Sequence, residues 1–148
     1  MADTVTSKWI YPPNFDGYYP NDKVGHRRHT IKFLCSSDGT GETAVHKVVR
    51  QDLKTSSGNI PSKLVLEKID YTIHGIGVTI AFDTTPDEPV AILNAGVGTD
   101  SNSGCFDYRD VGGITAQNEG GTGDIIFTTA NATSGDSYDI TLTVRLKD

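Results

Sequence analysis

Residues 137–146, near the C-terminus, alternate strictly between apolar and polar side chains. The apolar positions are Tyr138, Ile140, Leu142, Val144 and Leu146, and the positions between them are Asp139, Thr141, Thr143 and Arg145. Because residues two apart on a strand share a face, this pattern predicts a strand with one buried side and one solvated side. Such a strand requires neighbouring strands and a second apolar layer that covers its buried side.

Further strand-like runs recur along the chain and are separated by turn residues. They cover residues 27–35, 42–53, 63–74, 76–82, 90–93, 105–108 and 124–129, whereas the polar stretch 94–104 is interpreted as a loop. Glycine occurs 16 times and methionine once, so residues that favour helices are scarce. We therefore predict an all-β fold, an antiparallel, jelly-roll-like β-sandwich of about eight strands.

The first 25 residues show neither a helical nor a strand period, and they are rich in proline and aromatic residues. We predict an extended N-terminal arm over residues 1–25, followed by a β-sandwich domain over residues 26–148. Aromatic side chains commonly anchor interfaces, although the arm could also pack across its own domain. The predicted partner interface consists of the five arm aromatics and two arginines: Trp9, Tyr11, Phe15, Tyr18, Tyr19, Arg27 and Arg28.

The 148-residue chain has a formal net charge of −6, which disfavours general binding to nucleic acid. Its one basic run, residues 26–29, is interpreted as a solvated face or a local contact with acidic neighbours. No apolar run reaches the roughly 18 residues of a membrane span, so we expect no membrane association. The N-terminus does not resemble a secretory signal, and we expect synthesis in the cytoplasm.

The sequence contains no constellation that indicates catalysis, a cofactor or a metal. Residues 120–123 are rich in glycine but precede a predicted strand, so they do not match a phosphate-binding loop. His26 and His29 would point to opposite faces of a strand, and the polar run after Asp100 lacks the later acidic ligand of a calcium loop. We therefore expect a protein that is not an enzyme, with no catalytic residues, cofactor or bound metal.

The chain has two cysteines, Cys35 and Cys105, which are far apart in the sequence. No histidine lies at zinc-ligand spacing from either of them. Two buried free thiols are expected, and a disulfide between them is the alternative.

Several segments resemble the small virion structural proteins of tailed bacteriophages, especially of phages that infect aquatic bacteria. The segments are residues 106–114, 120–129 and 133–142 in the C-terminal half, together with residues 8–15. The resemblance implies a capsid decoration (cement) protein on the outer surface of the phage head. It also implies a homo-oligomer, with a trimer favoured, that bridges subunits of the major capsid protein and uses its arm for contacts.

Two alternatives stay open at the level of sequence. The chain could be a tail, neck or fibre-associated component of the same particle, or a carbohydrate-binding β-sandwich. Arg27 and Arg28 are candidates for pairing with an acidic capsid surface. The segment 107–110 is either a contact at the rim of an interface or a local ion pair.

Overall fold

A computed structural model describes residues 4–11, 27–55, 57–95 and 100–147 of the protein. Within these ranges the regular structure consists of nine β-strands and two short 3₁₀ turns, at Arg50–Asp52 and Arg109–Val111. The strands are β1 (Thr4–Tyr11), β2 (Arg28–Asp38), β3 (Val45–Val48), β4 (Lys63–His74), β5 (Gly77–Phe82), β6 (Glu88–Asn94), β7 (Ser101–Asp107), β8 (Ile125–Ala130) and β9 (Ser134–Lys147).

The strands form two antiparallel sheets, and this confirms the predicted all-β sandwich. One sheet has the order β1-β2-β9-β4-β7, and the other has the order β3-β8-β5-β6. Leaving β1 aside, the pairing is nested, since β2 pairs with β9, β3 with β8, β4 with β7 and β5 with β6. β1 extends the larger sheet beyond β2 as an additional edge strand.

The hydrophobic core lies between the two sheets. The Phe127 ring on β8 contacts Phe33 on β2, with ring centroids 5.4 Å apart, and Tyr138 on β9, at 5.8 Å. All five apolar residues of the alternating C-terminal segment are buried, which confirms the predicted inward face of β9. Burial of this face against the smaller sheet is what holds the two layers together.

A β-bulge interrupts β4 and changes which side chains face the core. The pairing of β4 with β9 shifts register between Leu66 and Lys68, so Glu67 is an extra residue. Leu66 before the bulge and Ile69 after it both join the core. Simple alternation predicts opposite faces for these two residues, and that prediction is wrong because the bulge inserts one position.

The segment between β7 and β8, residues 108–124, closes one end of the sandwich. Ile114 exchanges two backbone hydrogen bonds with Leu66 of the larger sheet, and Gly123 N donates to Asp83 O beside the smaller sheet. Gly121 adopts a φ of +66°, and its backbone packs against that of Asp83, where a side chain would collide. The segment therefore connects both sheets by backbone contacts.

The N-terminal region differs from the sequence prediction. Residues 4–11, expected to belong to an arm without a strand, form β1, whose pairing with β2 runs from Thr4 opposite Ser36 to Tyr11 opposite Thr30. Tyr11 is the last residue of β1 that the structure describes. The predicted boundary at residue 25 lies outside the described residues.

Two further strand boundaries differ from the prediction. The strand expected over residues 42–53 is limited to β3, since Ala44 has a φ of +48° and a 3₁₀ turn begins at Arg50. The expected loop over 94–104 ends earlier, because Ser101 already belongs to β7. The serines, asparagine and glycine of this strand suggested a loop, and pairing with β4 overrides that local preference.

The two cysteines occupy different environments and do not form a disulfide with each other. Cys35 is buried in the core, as expected. Cys105 is exposed on β7, so the expectation of a buried thiol is wrong at this position. Within the described ranges, no helix has the length and hydropathy needed to cross a bilayer.

Candidate interaction surface

Four of the predicted interface residues lie at one end of the larger sheet. Trp9 and Tyr11 are on β1, and Arg27 and Arg28 are at the start of β2, close to the position opposite Tyr11. The other three predicted residues, Phe15, Tyr18 and Tyr19, lie outside the described residues. Antiparallel pairing of β1 with β2 therefore brings the end of one strand next to the beginning of the other.

Trp9 is a half-buried anchor for β1. Its indole Nε1 donates a hydrogen bond to Nδ1 of His29 at 2.9 Å, and the two rings meet edge to face with centroids 6.0 Å apart. His29 is completely buried, so this contact joins the edge strand to the core. Trp9 thus has a structural role within the domain.

The next two residues of β1 present apolar surface to solvent. Ile10 is 48% exposed and Tyr11 is 46% exposed. Tyr11 was predicted from the sequence as an interface residue, whereas Ile10 was not. Ile10 lies between two aromatic residues in an apolar run, and this is the sequence signal that could have identified it.

Arg28 is engaged by an acidic residue of its own chain. Its Nε donates to Oε1 of Glu67 at 2.8 Å, and Glu67, the bulged residue of β4, has a side chain that is only 4% exposed. The hydrogen bond with Glu67 raises the pKa of Arg28. The Arg28 side chain nevertheless remains 61% exposed, so one side of its guanidinium still faces solvent.

A second arginine reaches the same carboxylate. Arg145 lies opposite Arg28 on β9, and its Nε is 3.4 Å from Oε2 of Glu67. Its Nη2 donates to the carbonyl oxygen of Gly112 at 2.8 Å, which places the residue beside the 108–124 segment. Neither Arg145 nor Glu67 was predicted as part of a site, because no local pattern relates three separate strands.

Arg109 adds another positive charge to this region. It forms an ion pair with Asp107, with Nη2 2.6 Å from Oδ2, and this contact lowers the pKa of Asp107 to about 2. The charge of Arg109 also acts on Arg28, whose pKa it lowers slightly against the larger effect of Glu67. We call Arg27, Arg28, Arg109 and Arg145 the arginine cluster. The carboxylates of Glu67 and Asp107 offset part of its positive charge.

An exposed apolar residue lies beside the arginine cluster. Val111, at the end of the second 3₁₀ turn, is 79% exposed, and it directly precedes Gly112, the residue that Arg145 contacts. Aromatic residues and arginine are enriched at protein interfaces, and Tyr11 and the arginine cluster supply both at this end of the sheet. This end of the larger sheet therefore combines apolar residues and positive charge, which suits an acidic protein surface.

Two other charged clusters have structural roles. Lys47 and Glu42 form a buried ion pair, the Tyr138 hydroxyl donates to Glu42 at 2.5 Å, and the Lys47 ammonium lies 5.6 Å from the centre of the Phe127 ring. These contacts fix the strand β3 and the residues before it to the core. The charges satisfy each other inside the sandwich, as buried charges must.

The second cluster links β3 to the residues directly before β8, and links those residues to Asp83 after β5. His46 Nδ1 is 2.8 Å from Asp124 Oδ2, and the Thr122 hydroxyl donates to Asp83 at 2.6 Å. The hydrogen bond from Thr122 is the main cause of the lowered pKa of Asp83. Among the side chains that the structure describes, no group of three acidic, histidine or cysteine residues is arranged to bind a metal ion.

Comparison with known proteins gives no relative of this chain. No family model matches the sequence, and neither a curated protein nor a solved structure matches it.

Proposed function

We propose that this protein is a structural protein of a tailed-phage virion that decorates the outer surface of the head. In this proposal it binds the major capsid protein and stabilises contacts between neighbouring capsid subunits. Adding buried surface across a subunit junction stabilises an assembly by mass action. The observation that carries the proposal is the combination of exposed apolar residues with the arginine cluster at one end of the larger sheet.

The strand order supports the proposal. We infer that the sandwich is a jelly roll, because the nested pairs β2–β9, β3–β8, β4–β7 and β5–β6 are those of a rolled antiparallel ribbon. The jelly roll is a common architecture of virion proteins, although lectins and cupins also use it. The fold is therefore compatible with the resemblance to virion proteins but is not specific for it.

The chemistry of the candidate surface also supports a protein partner. Ile10 and Tyr11 would supply apolar contacts, and Arg27 and the solvent-facing side of Arg28 would pair with carboxylates of the capsid. Because Arg28 is already held by Glu67, it is oriented before binding, which reduces the entropy cost of an interface contact. The proposed occupant is thus an acidic, partly apolar protein surface.

The test uses capsids that lack this protein. Purified protein is mixed with expanded capsids, and its co-sedimentation and the heat resistance of the capsids are measured. The variant Ile10→Asp with Tyr11→Asp should bind at least tenfold more weakly, because it puts charge where apolar contact is proposed. The control is Ile92→Asp, on the outer face of β6, where the wild-type side chain is 71% exposed.

The outcomes separate the proposal from its competitors. Binding that persists in the Ile10/Tyr11 variant but is lost in the Ile92→Asp control would place the contact on the other sheet. Failure of the wild-type protein to bind any capsid form would contradict the decoration role. Copy number in intact particles distinguishes the tail or neck alternative, since decoration requires copies in proportion to the capsid subunits.

The carbohydrate-binding alternative has less support than the other two. It relies on aromatic side chains that can stack on sugar rings, and Trp9 instead faces inward and bonds to His29. A glycan array that gives no binding with the wild-type protein would eliminate this alternative.

A further inference from the structure

The two sheets have four edges, and three of them carry features that oppose pairing with another chain. β1 contains the exposed Lys8 and a register shift between Trp9 and Tyr11. β3 is four residues long and is also irregular, with a register shift after His46. β6 contains Pro89 and a bulge in its pairing with β5. Lysine, proline, bulges and short length are the usual protections of an edge strand.

β7 is the edge that lacks all of these protections. Its residues pair with β4 in unbroken register, from Lys68 opposite Asp107 to His74 opposite Ser101. All seven residues of β7 are exposed, and none is lysine or proline. A regular, exposed edge of this kind is a template for a further strand.

The hydrogen bonds at the two ends of β7 show which of its backbone groups face away from the sheet. Tyr108 N donates to Glu67 O, and Asp100 O accepts from Gly75 N, so the even-numbered residues direct their polar backbone groups toward β4. The odd-numbered residues, 101, 103, 105 and 107, therefore direct theirs away from the sheet. Among the described residues, no strand pairs with this side of β7.

We propose that β7 pairs with β7 of a second copy of this chain, antiparallel and across a two-fold axis. The register that uses every outward group places Gly104 opposite Gly104 of the second copy. Four hydrogen-bonded residue pairs then form, with about eight inter-chain hydrogen bonds in all. The two larger sheets would join into one continuous sheet. This inference does not depend on the proposed capsid function.

The sequence of β7 is complementary to itself in this register. Asp107 of each copy lies opposite Ser101 of the other, an uncharged residue, and the two Asp107 residues are about 20 Å apart. Cys105 lies opposite Ser103, a pair of small side chains that allows close approach. No like charges are therefore placed directly opposite each other, an arrangement that would oppose pairing.

The aromatic residues beside β7 add apolar surface to the same edge. Phe106 is 37% exposed and stacks on Tyr71, with ring centroids 5.7 Å apart, and on Tyr108, at 6.2 Å. A side chain at Gly104 would meet the Tyr71 hydroxyl at 2.9 Å, so glycine leaves that space to the aromatic ring. Pairing of two copies would cover part of this aromatic row in each.

The test measures the oligomeric state of the full chain by sedimentation equilibrium. The wild-type protein should be a dimer, and Ser103→Lys should weaken dimerisation about tenfold or more. The two introduced ammonium groups would lie diagonally across the interface, on positions about 7–8 Å apart. They would repel each other, because Asp107, the acidic residue that is diagonal to each of them, is already paired with Arg109. The matched control is Ser36→Lys, the same substitution at an exposed position on β2, which should leave the dimer intact.

Cross-linking provides a second measurement that does not depend on a destabilising variant. In the proposed register the two Cys105 side chains are also diagonal neighbours, about 7–8 Å apart. A bismaleimide reagent of similar span should therefore convert the wild-type protein into covalent dimers, and Cys105→Ser should prevent this. Cys35 is 4% exposed and should not react in the folded protein.

A monomeric or trimeric wild-type protein would overturn the inference, and so would a dimer that Ser103→Lys leaves unchanged. Capsid binding by the Ser103→Lys variant is measured separately. Binding without dimerisation would support the capsid function while showing that the dimer is not required for it. Dimerisation without capsid binding would support the β7 interface and contradict the capsid function.

Discussion

Arg28 lies directly opposite Arg145 in the β2–β9 pair, and both guanidinium groups lie next to one carboxylate, that of Glu67. Like charges in facing positions of an antiparallel pair are destabilising on their own. Here the β4 bulge places a buried carboxylate in contact with both of them. The carboxylate therefore lets two arginines occupy facing positions at this end of the sheet, and it orients Arg28 toward the candidate surface.

We predict that Glu67→Gln destabilises the protein by about 1.5–3 kcal/mol, because two charge-assisted contacts are lost and the arginines then repel each other. Urea unfolding followed by circular dichroism measures the change. Arg28→Gln is the comparison, and it should cost less, since Arg145 still pairs with Glu67 in that variant. An equal or larger loss with Arg28→Gln would contradict this account.

The buried pair of Lys47 and Glu42 allows a double-mutant cycle. Lys47→Met and Glu42→Gln should each destabilise by about 3–5 kcal/mol, since each leaves an uncompensated buried group. The double variant should be more stable than the sum of the two losses predicts, because it removes both charges together. Additive losses in thermal or urea unfolding would show that the two residues act independently.

The bond from Trp9 to His29 predicts a local effect on the edge strand. Trp9→Phe removes the indole donor from the buried ring of His29, at a cost of about 1–3 kcal/mol. Hydrogen exchange should become faster in the β1 amides that bond to β2, before global unfolding. Lys8→Gln, which changes an exposed side chain of the same strand, should have an effect below about 0.5 kcal/mol.

The Asp107–Arg109 ion pair predicts an acid-range titration. The pKa of Asp107 is lowered to about 2 from its ordinary value of 3.8. Because the folded pKa is the lower one, the contribution to stability is present above about pH 4 and is lost as the pH falls toward 2. Carboxyl NMR should find a midpoint near 2 in the wild-type protein, and Arg109→Gln should return it toward the ordinary value of 3.8. A wild-type midpoint near 4 would show that the ion pair does not persist in solution.

The sequence predicted the class of fold and the buried face of one strand. The alternation in residues 137–146 determines which side of β9 is apolar, and the scarcity of helix-forming residues excludes helical layers. Both are local properties, since hydrophobic period and backbone preference act over a few consecutive residues. Of the residues predicted as a partner interface, Tyr11, Arg27 and Arg28 are exposed in the structure, and their role in an interface stays a prediction.

The tertiary structure decided everything that depends on register between distant segments. Residues 4–11 form a strand because β2 is available to pair with them, and residues 101–107 do so because β4 is. The bulge in β4 lets Glu67 contact Arg28, which is 39 positions away in the sequence. The alternation of apolar and polar residues repeats every two residues along one strand. It contains no information about which other strand will pair with that strand. The free edge at β7 and the arginine cluster follow from strand order, which long-range packing alone determines.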